Sequence, residues 1–153
     1  MIARKARPEE AEEVCLKDPV RPDISYDLRI AESCREVYFL ESTYFSVSED
    51  RYRPVIDSVL CLAYLKDIPI NEDELLGMGY GNIAIFYTVW SHRKGAGRQI
   101  IFDTVDHLKK NNKGQMRYVT MSPKTEMAMK FHLNNGAILL QENEVTNNFE
   151  YIL

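Results

Sequence analysis

The stretch Trp90-Ser91-His92-Arg93-Lys94-Gly95-Ala96-Gly97-Arg98-Gln99-Ile100-Ile101 decides how this chain is read. It ends an apolar run, Ile83 to Trp90, whose β-branched and aromatic residues predict a buried strand. Beyond it, Ile101, Val105 and Leu108 recur at helical spacing, with Lys109 and Lys110 suited to a last turn near Asn112 and Gly114 just past it. A strand therefore passes through a basic, glycine-bearing turn straight into a helix. At such a junction unpaired backbone N–H groups and the positive end of the helix dipole face one spot, which suits a phosphate. Gly95 and Gly97 put no Cβ between backbone and ligand, and His92, Arg93, Lys94 and Arg98 add positive charge. A plain structural turn is the alternative reading of the same residues.

Neither the spacing of a Walker loop nor a G-x-G-x-x-G dinucleotide fingerprint is present. Downstream, Met116 to Met121 predicts a further strand, and Ser122-Pro123 predicts the N-cap and first residue of a second helix. That helix runs through Met127, Ala128 and Phe131 to Asn134 or Asn135, where Gly136 supplies the stop. Ala128 and His132, four apart, share one of its faces. Upstream, Pro8 and the glutamates that follow it, within Arg7 to Val14, are favourable at a helix start. Glu36 to Glu41 and Val55 to Leu65 predict two more strands. Lys66 to Asn82 reads as a polar loop; a strand follows its Gly77, Gly79 and Gly81, so these are turn and bulge residues rather than a phosphate loop. Ile138 to Gln141 and Asn148 to Leu153 close the chain as strands.

His92-Arg93-Lys94-Gly95-Ala96-Gly97 resembles the acyl-CoA loop of the GNAT superfamily of N-acyltransferases, Q/R-x-x-G-x-G/A, with His92 in place of Gln or Arg. The second helix resembles the family's N-x-x-A-x-x-x-Y-x-x-x-G-F. Ala128 and Gly136 are in register, while Thr125, His132 and Ala137 stand where the family has Asn, Tyr and Phe. The likeness is specific from Ile83 to Gly136 and holds in outline elsewhere.

The resemblance implies an α/β fold: one GNAT-like domain over residues 1–153, with a mixed, mostly antiparallel sheet of six or seven strands flanked by helices. In it Ile83–Trp90 splays from its parallel neighbour, Arg117–Met121, and acyl-CoA, acetyl-CoA first among them, lies in the gap as cosubstrate. Backbone groups of Tyr87, Thr88 and Val89 would pair with the pantetheine arm. The turn of His92, Arg93, Lys94, Gly95, Ala96, Gly97 and Arg98 would hold the pyrophosphate, and Ala128 would face the thioester arm. A primary amine would attack the thioester directly in a ternary complex, with catalysis by positioning and oxyanion stabilisation. His132, in the place of the family's Tyr, would protonate the departing thiolate; Tyr80, Tyr87 and Tyr118 are other phenols to weigh. The segment Asn82 to Trp90 carries no carboxylate. Glu41, Asp57 and Glu126 are candidates for a base with ordinary surface readings, Ser122 reads as a cap, and His107 reads as a surface partner of Asp103. The departures leave a second reading open: a catalytically reduced GNAT-fold protein that serves as a CoA-binding or interaction module.

A length of 153 residues suits one domain, and a formal net charge of −4 offers no general attraction to nucleic acid. Cys15, Cys34 and Cys61 form no C-x-x-C pair and no histidine cluster accompanies them, which points to a reducing cytoplasm and away from a structural metal. No run reads as a membrane span or a signal peptide. The expected partner is a small-molecule or protein amine, met by the segments Asp18 to Tyr52 and Asp67 to Gly81, where Glu72, Asp73 and Glu74 read either as an acidic rim that attracts a cationic amine or, equally well, as a solvated loop. A homodimer through the edge of Asn148–Leu153 is also expected.

Overall fold

Val59 to Ala63 are wholly buried without any alternation, the mark of a strand covered on both faces. They lie in β3 (Arg51–Leu65), within a sheet that the computed structural model describes along with the rest of residues 2–30, 34–111 and 115–153. Among these residues the other strands are β1 (Arg4–Lys5), β2 (Arg35–Ser46), β4 (Ile83–Ser91), β5 (Arg117–Thr120), β6 (Ser122–Pro123), β7 (Ile138–Glu142) and β8 (Thr146–Tyr151). The order is β1-β2-β3-β4-β5-β8-β6, with β7 paired to β8. Every pairing is antiparallel except β4 with β5.

Helices cover both faces. On one, α1 (Pro8–Cys15), α2 (Tyr26–Ile30) and α3 (Glu72–Gly77) bury Ala11, Cys15 and Leu75 against Val37, Cys61 and Ile85. On the other, α4 (Ala96–Asn111) buries Ile100, Ile101 and Val105 against Leu60, Leu62 and Phe86, and Met129 and Phe131 of α5 (Glu126–Asn134) pack beside them. The periodic residues that predict the α4 stripe are the ones it buries.

Several expectations are corrected. The mixed, mostly antiparallel sheet is the one expected, and β1 and β6, of two residues each, bring the expected count of about six or seven strands to eight among the described residues. Ser122-Pro123 does not start a helix. The Ser122 hydroxyl bonds Thr120 Oγ1 at 2.8 Å, its backbone pairs with Asn147, and Thr125 caps α5 by accepting from the Ala128 N–H at 3.1 Å. Lys66–Asn82 is not all loop, since Asn71 caps α3. Gly81 serves close approach: a Cβ there would lie 2.3 Å from Lys66 Cα. The closing strand β8 is Thr146–Tyr151 rather than Asn148–Leu153, and it pairs with β5 and β6 along one side and β7 along the other. Asp103 accepts from the Ala3 N–H rather than from His107, whose ring meets Tyr38. Gly114 and Asn112, read as the end of α4, lie outside the described residues.

Candidate functional site

The sheet opens in one place. Parallel pairing of β4 with β5 runs from Ile83↔Arg117 to Phe86↔Thr120, and a last bond joins the Met121 N–H to the Phe86 carbonyl at 3.1 Å. One residue further, β4 bulges: Cys61 and Leu62 of β3 face Thr88 and Phe86, which leaves Tyr87 extra. A bulge bends its strand and re-aims a side chain. Here Tyr87 joins the core beneath α1, and Thr88 turns to the same side, donating to Asp18 Oδ2 at 3.1 Å. From Tyr87 to Ser91, β4 keeps β3 on one edge and, among the described residues, has no strand on the other. Five residues at strand rise give an opening about 16 Å long.

The basic turn stands at the mouth of this opening and is fastened to β3. The His92 N–H donates to the Asp57 carbonyl at 2.7 Å, Arg93 Nε lies 3.2 Å from Asp57 Oδ2, and Ser58 Oγ donates to the Ala96 carbonyl at 2.9 Å. Asp57 thereby holds the turn in place. The Ala96 N–H bonds Arg93 O and the Gln99 N–H bonds Gly95 O, each at 3.0 Å, while the N–H groups of Gly97 and Arg98 have no backbone acceptor among the described residues. These two are orphan donors of a helix start, with the exposed Lys94 beside them. Gly95 makes the turn at φ 84°. Gly97 does something else: a Cβ there would stand 3.2 Å from the Phe131 ring, so its bareness lets α5 close on the first turn of α4. Arg98 points the same way, donating to Asn135 Oδ1 at 3.2 Å with its guanidinium 4.7 Å from the centre of the Phe102 ring.

No family model and no curated protein matches this sequence. Solved structures do match. The chain is similar to a malonyl-CoA decarboxylase from Agrobacterium vitis, with TM-score 0.73 and 14% identity over 99% of this chain and 60% of that one. It is similar to a Bacillus subtilis acetyltransferase in complex with CoA, with TM-score 0.59 and 11% identity over 99% and 98% of the two chains. A Desulfovibrio desulfuricans protein ascribed to the GNAT acetyltransferases gives TM-score 0.61 and 9% identity over 97% and 96%. The fold is the GNAT fold. At these identities the likeness is one of fold, and the chain spans only 60% of the decarboxylase.

Within this GNAT fold, His132 is the buried residue of α5 and does not stand at an exposed wall of the opening. It is 6% exposed, its ring stacks on Phe149, and Nδ1 lies 2.7 Å from the Tyr151 hydroxyl. Burial pulls its pKa down to about 4, so at neutral pH the ring carries no proton to give as an imidazolium. The Tyr87 hydroxyl is buried in the α1 core without a partner among the described residues, and burial pushes it well up. Tyr118 packs near Phe86 on the α4 side and Tyr80 is exposed. Ala128 is half-buried on α5, and Glu126 pairs with Lys130 on the surface. Glu41 lies in β2, on the far side of β3 from the opening. Among the described residues no group of His, Cys, Asp and Glu could hold a metal, and no helix is long and apolar enough to cross a membrane.

The closed end of the opening holds what the sequence did not signal. Arg21, in the loop between α1 and α2, donates from Nε to the Tyr87 carbonyl at 3.3 Å and from Nη2 to the Met121 carbonyl at 2.7 Å. It thus bridges the two strands where they part. Asp18 supports it, accepting from the backbone N–H groups of Val20 and Arg21 and pairing with Arg29 at 2.6 Å, both side chains fully buried. Glu72, the first residue of α3, faces Arg21 at 3.6 Å from the rim.

Proposed function

We propose that this protein is an acyl-CoA-dependent N-acyltransferase, most simply one that moves acetyl from acetyl-CoA to a primary amine in a ternary complex. The observation that carries this reading is the parting of β4 from β5 at the Tyr87 bulge, with the basic turn at its mouth. The similarity in fold to an acetyltransferase in complex with CoA supports the same use of the opening. An extended donor arm would take the unpaired edge of Tyr87, Thr88 and Val89 as a strand would. Its pyrophosphate would meet the N–H groups of Gly97 and Arg98, with His92, Arg93, Lys94, Gly95 and Ala96 shaping the turn around them.

The chemistry asks for little beyond placement. The neutral amine attacks the thioester carbon, the tetrahedral intermediate expels CoA thiolate, the nitrogen gives up one proton and the sulfur takes one. Backbone N–H groups at the bulge are suited to the developing oxyanion, which is where fixed dipoles contribute most. A neutral His132 bonded to Tyr151 serves as the buried packing of α5 in this scheme, so the thiolate takes its proton from the medium or from the acceptor's own ammonium. The acceptor is proposed to be a small molecule or a protein amine in the cytoplasm, approaching past α3 and its acidic residues.

Free-thiol release from acetyl-CoA, measured across a panel of primary amines, tests the reading. Amine-dependent release supports it. Binding of CoA with no release for any amine would support the second reading, a CoA-binding module, which the buried, neutral His132 favours.

A further inference from the structure

We infer that the closed end of the opening binds a carboxylate through Arg21, a carboxylate carried either by the acyl chain of the donor or by the acceptor. The inference rests on the opening being an acyl-CoA site and says which substrates it selects.

The Arg21 side chain is 9% exposed, and two of its nitrogens are fixed by the carbonyls of Tyr87 and Met121. Those carbonyls belong to the two strands that diverge there, so the guanidinium spans the gap at the depth where the reacting end of an extended donor would stop. The third nitrogen, Nη1, has no hydrogen bond among the described residues. Glu72 Oε1 is 3.6 Å from it, beyond hydrogen-bond reach, on a side chain that is 38% exposed.

Asp18 cannot serve instead. One of its oxygens already takes Arg29 and Thr88, and the other takes two backbone N–H groups. The Asp18–Arg29 pair is therefore closed in charge, and Arg21 is left with a distant, solvated partner. Burial pulls the Arg21 guanidinium below its usual range, and the attraction of Glu72 and Asp18 does not make up the difference.

A cation in that state gains from a nearby anion. A guanidinium held at two nitrogens presents the third in a fixed direction, which suits a carboxylate and repels an ammonium. An acetyl group would leave Nη1 unanswered. A short dicarboxylic acyl group, or an acceptor that is itself an amino acid, would answer it.

Titration calorimetry with the whole chain tests this in two arms. In the first, CoA, acetyl-CoA, malonyl-CoA and succinyl-CoA are titrated into wild type, Arg21→Gln and Glu72→Gln. In the second, the acetyl-CoA-loaded protein receives glycine or β-alanine against methylamine or ethylamine. The expected result is a preference of about tenfold or more for the carboxylated member in one arm, which names its source. That preference is lost in Arg21→Gln and enlarged in Glu72→Gln, where the competing carboxylate is gone. Should Arg21→Gln fail to fold, the surface variant Glu72→Gln decides alone, and no gain in it overturns the inference. Equal binding of carboxylated and plain ligands by a protein that binds CoA overturns the inference and leaves the acyl-CoA reading standing. Failure of CoA itself to bind overturns both.

Discussion

The two ends of the opening in the sheet are built in opposite ways. At its mouth, the turn is exposed from His92 to Gly95 and is made by glycines and backbone N–H groups of neighbouring residues, with Asp57 and Ser58 fastening it to β3. At its closed end, Asp18, Arg21 and Arg29 are buried and their bonds reach Thr88, Tyr87 and Met121, which lie 70, 66 and 100 residues from their partners. A site made of backbone tolerates changes in its side chains, whereas a site made of buried charges fails when one charge is removed. The mouth is suited to what every CoA thioester shares, and the closed end to what distinguishes one substrate from another.

The largest expected effect comes from breaking the closed end. Arg29→Met strips a fully buried Asp18 of its counter-ion and is expected to cost about 3–5 kcal/mol in urea unfolding. Removing both charges together, as Asp18→Leu with Arg29→Met, is expected to recover much of that loss. A single-variant cost under about 1 kcal/mol would mean that the pair is not what holds the α1–α2 loop to β4.

His132 gives an effect of similar kind with a pH signature. Its native pKa of about 4 lies below the ordinary 6.5, so between these values the unfolded chain binds a proton that the native state refuses. The stability it preserves is whole above pH 6.5 and falls as pH drops toward 4, by about 3 kcal/mol at most. His132→Gln keeps a polar partner for Tyr151 and is expected to flatten that part of the stability profile. An unchanged slope in the variant would place the ring in water, where it could act as an acid after all.

The same contrast explains what was legible in the sequence. The strand, the turn and α4 announce themselves through an apolar run, glycines and a helical stripe, all signals within a dozen residues. Short elements do not: α2 and α3 have five and six residues, too few for a stripe; α3 lies within the segment that reads as a loop, and nothing in the sequence marks α2. Ser122-Pro123 carried a sound helix-start signal that lost to strand pairing with β8, while Thr125 took the cap three residues later. The burial of His132 against Phe149 and Tyr151, which sets its charge, comes from β8 and has no signal in the residues around it. The closeness of Phe131 to Gly97 likewise has no local signal, since it comes from α5. Arg21 had no local signal at all, since its meaning lies in two carbonyls that only the folded sheet brings together.

The account stands or falls on whether the opening takes CoA. The most direct measurement is the shift of the thermal unfolding midpoint with CoA, acetyl-CoA and ATP, for wild type and for Lys94→Glu. Lys94 is exposed at the mouth, so its reversal is expected to change stability alone by less than about 0.5 kcal/mol while opposing the pyrophosphate. Ligand bound to the native state raises the midpoint by mass action. The expected result is a rise with CoA and acetyl-CoA, smaller with ATP, and clearly reduced in Lys94→Glu. A folded wild type that none of the three stabilises would contradict the account and return the glycine turn to a purely structural role.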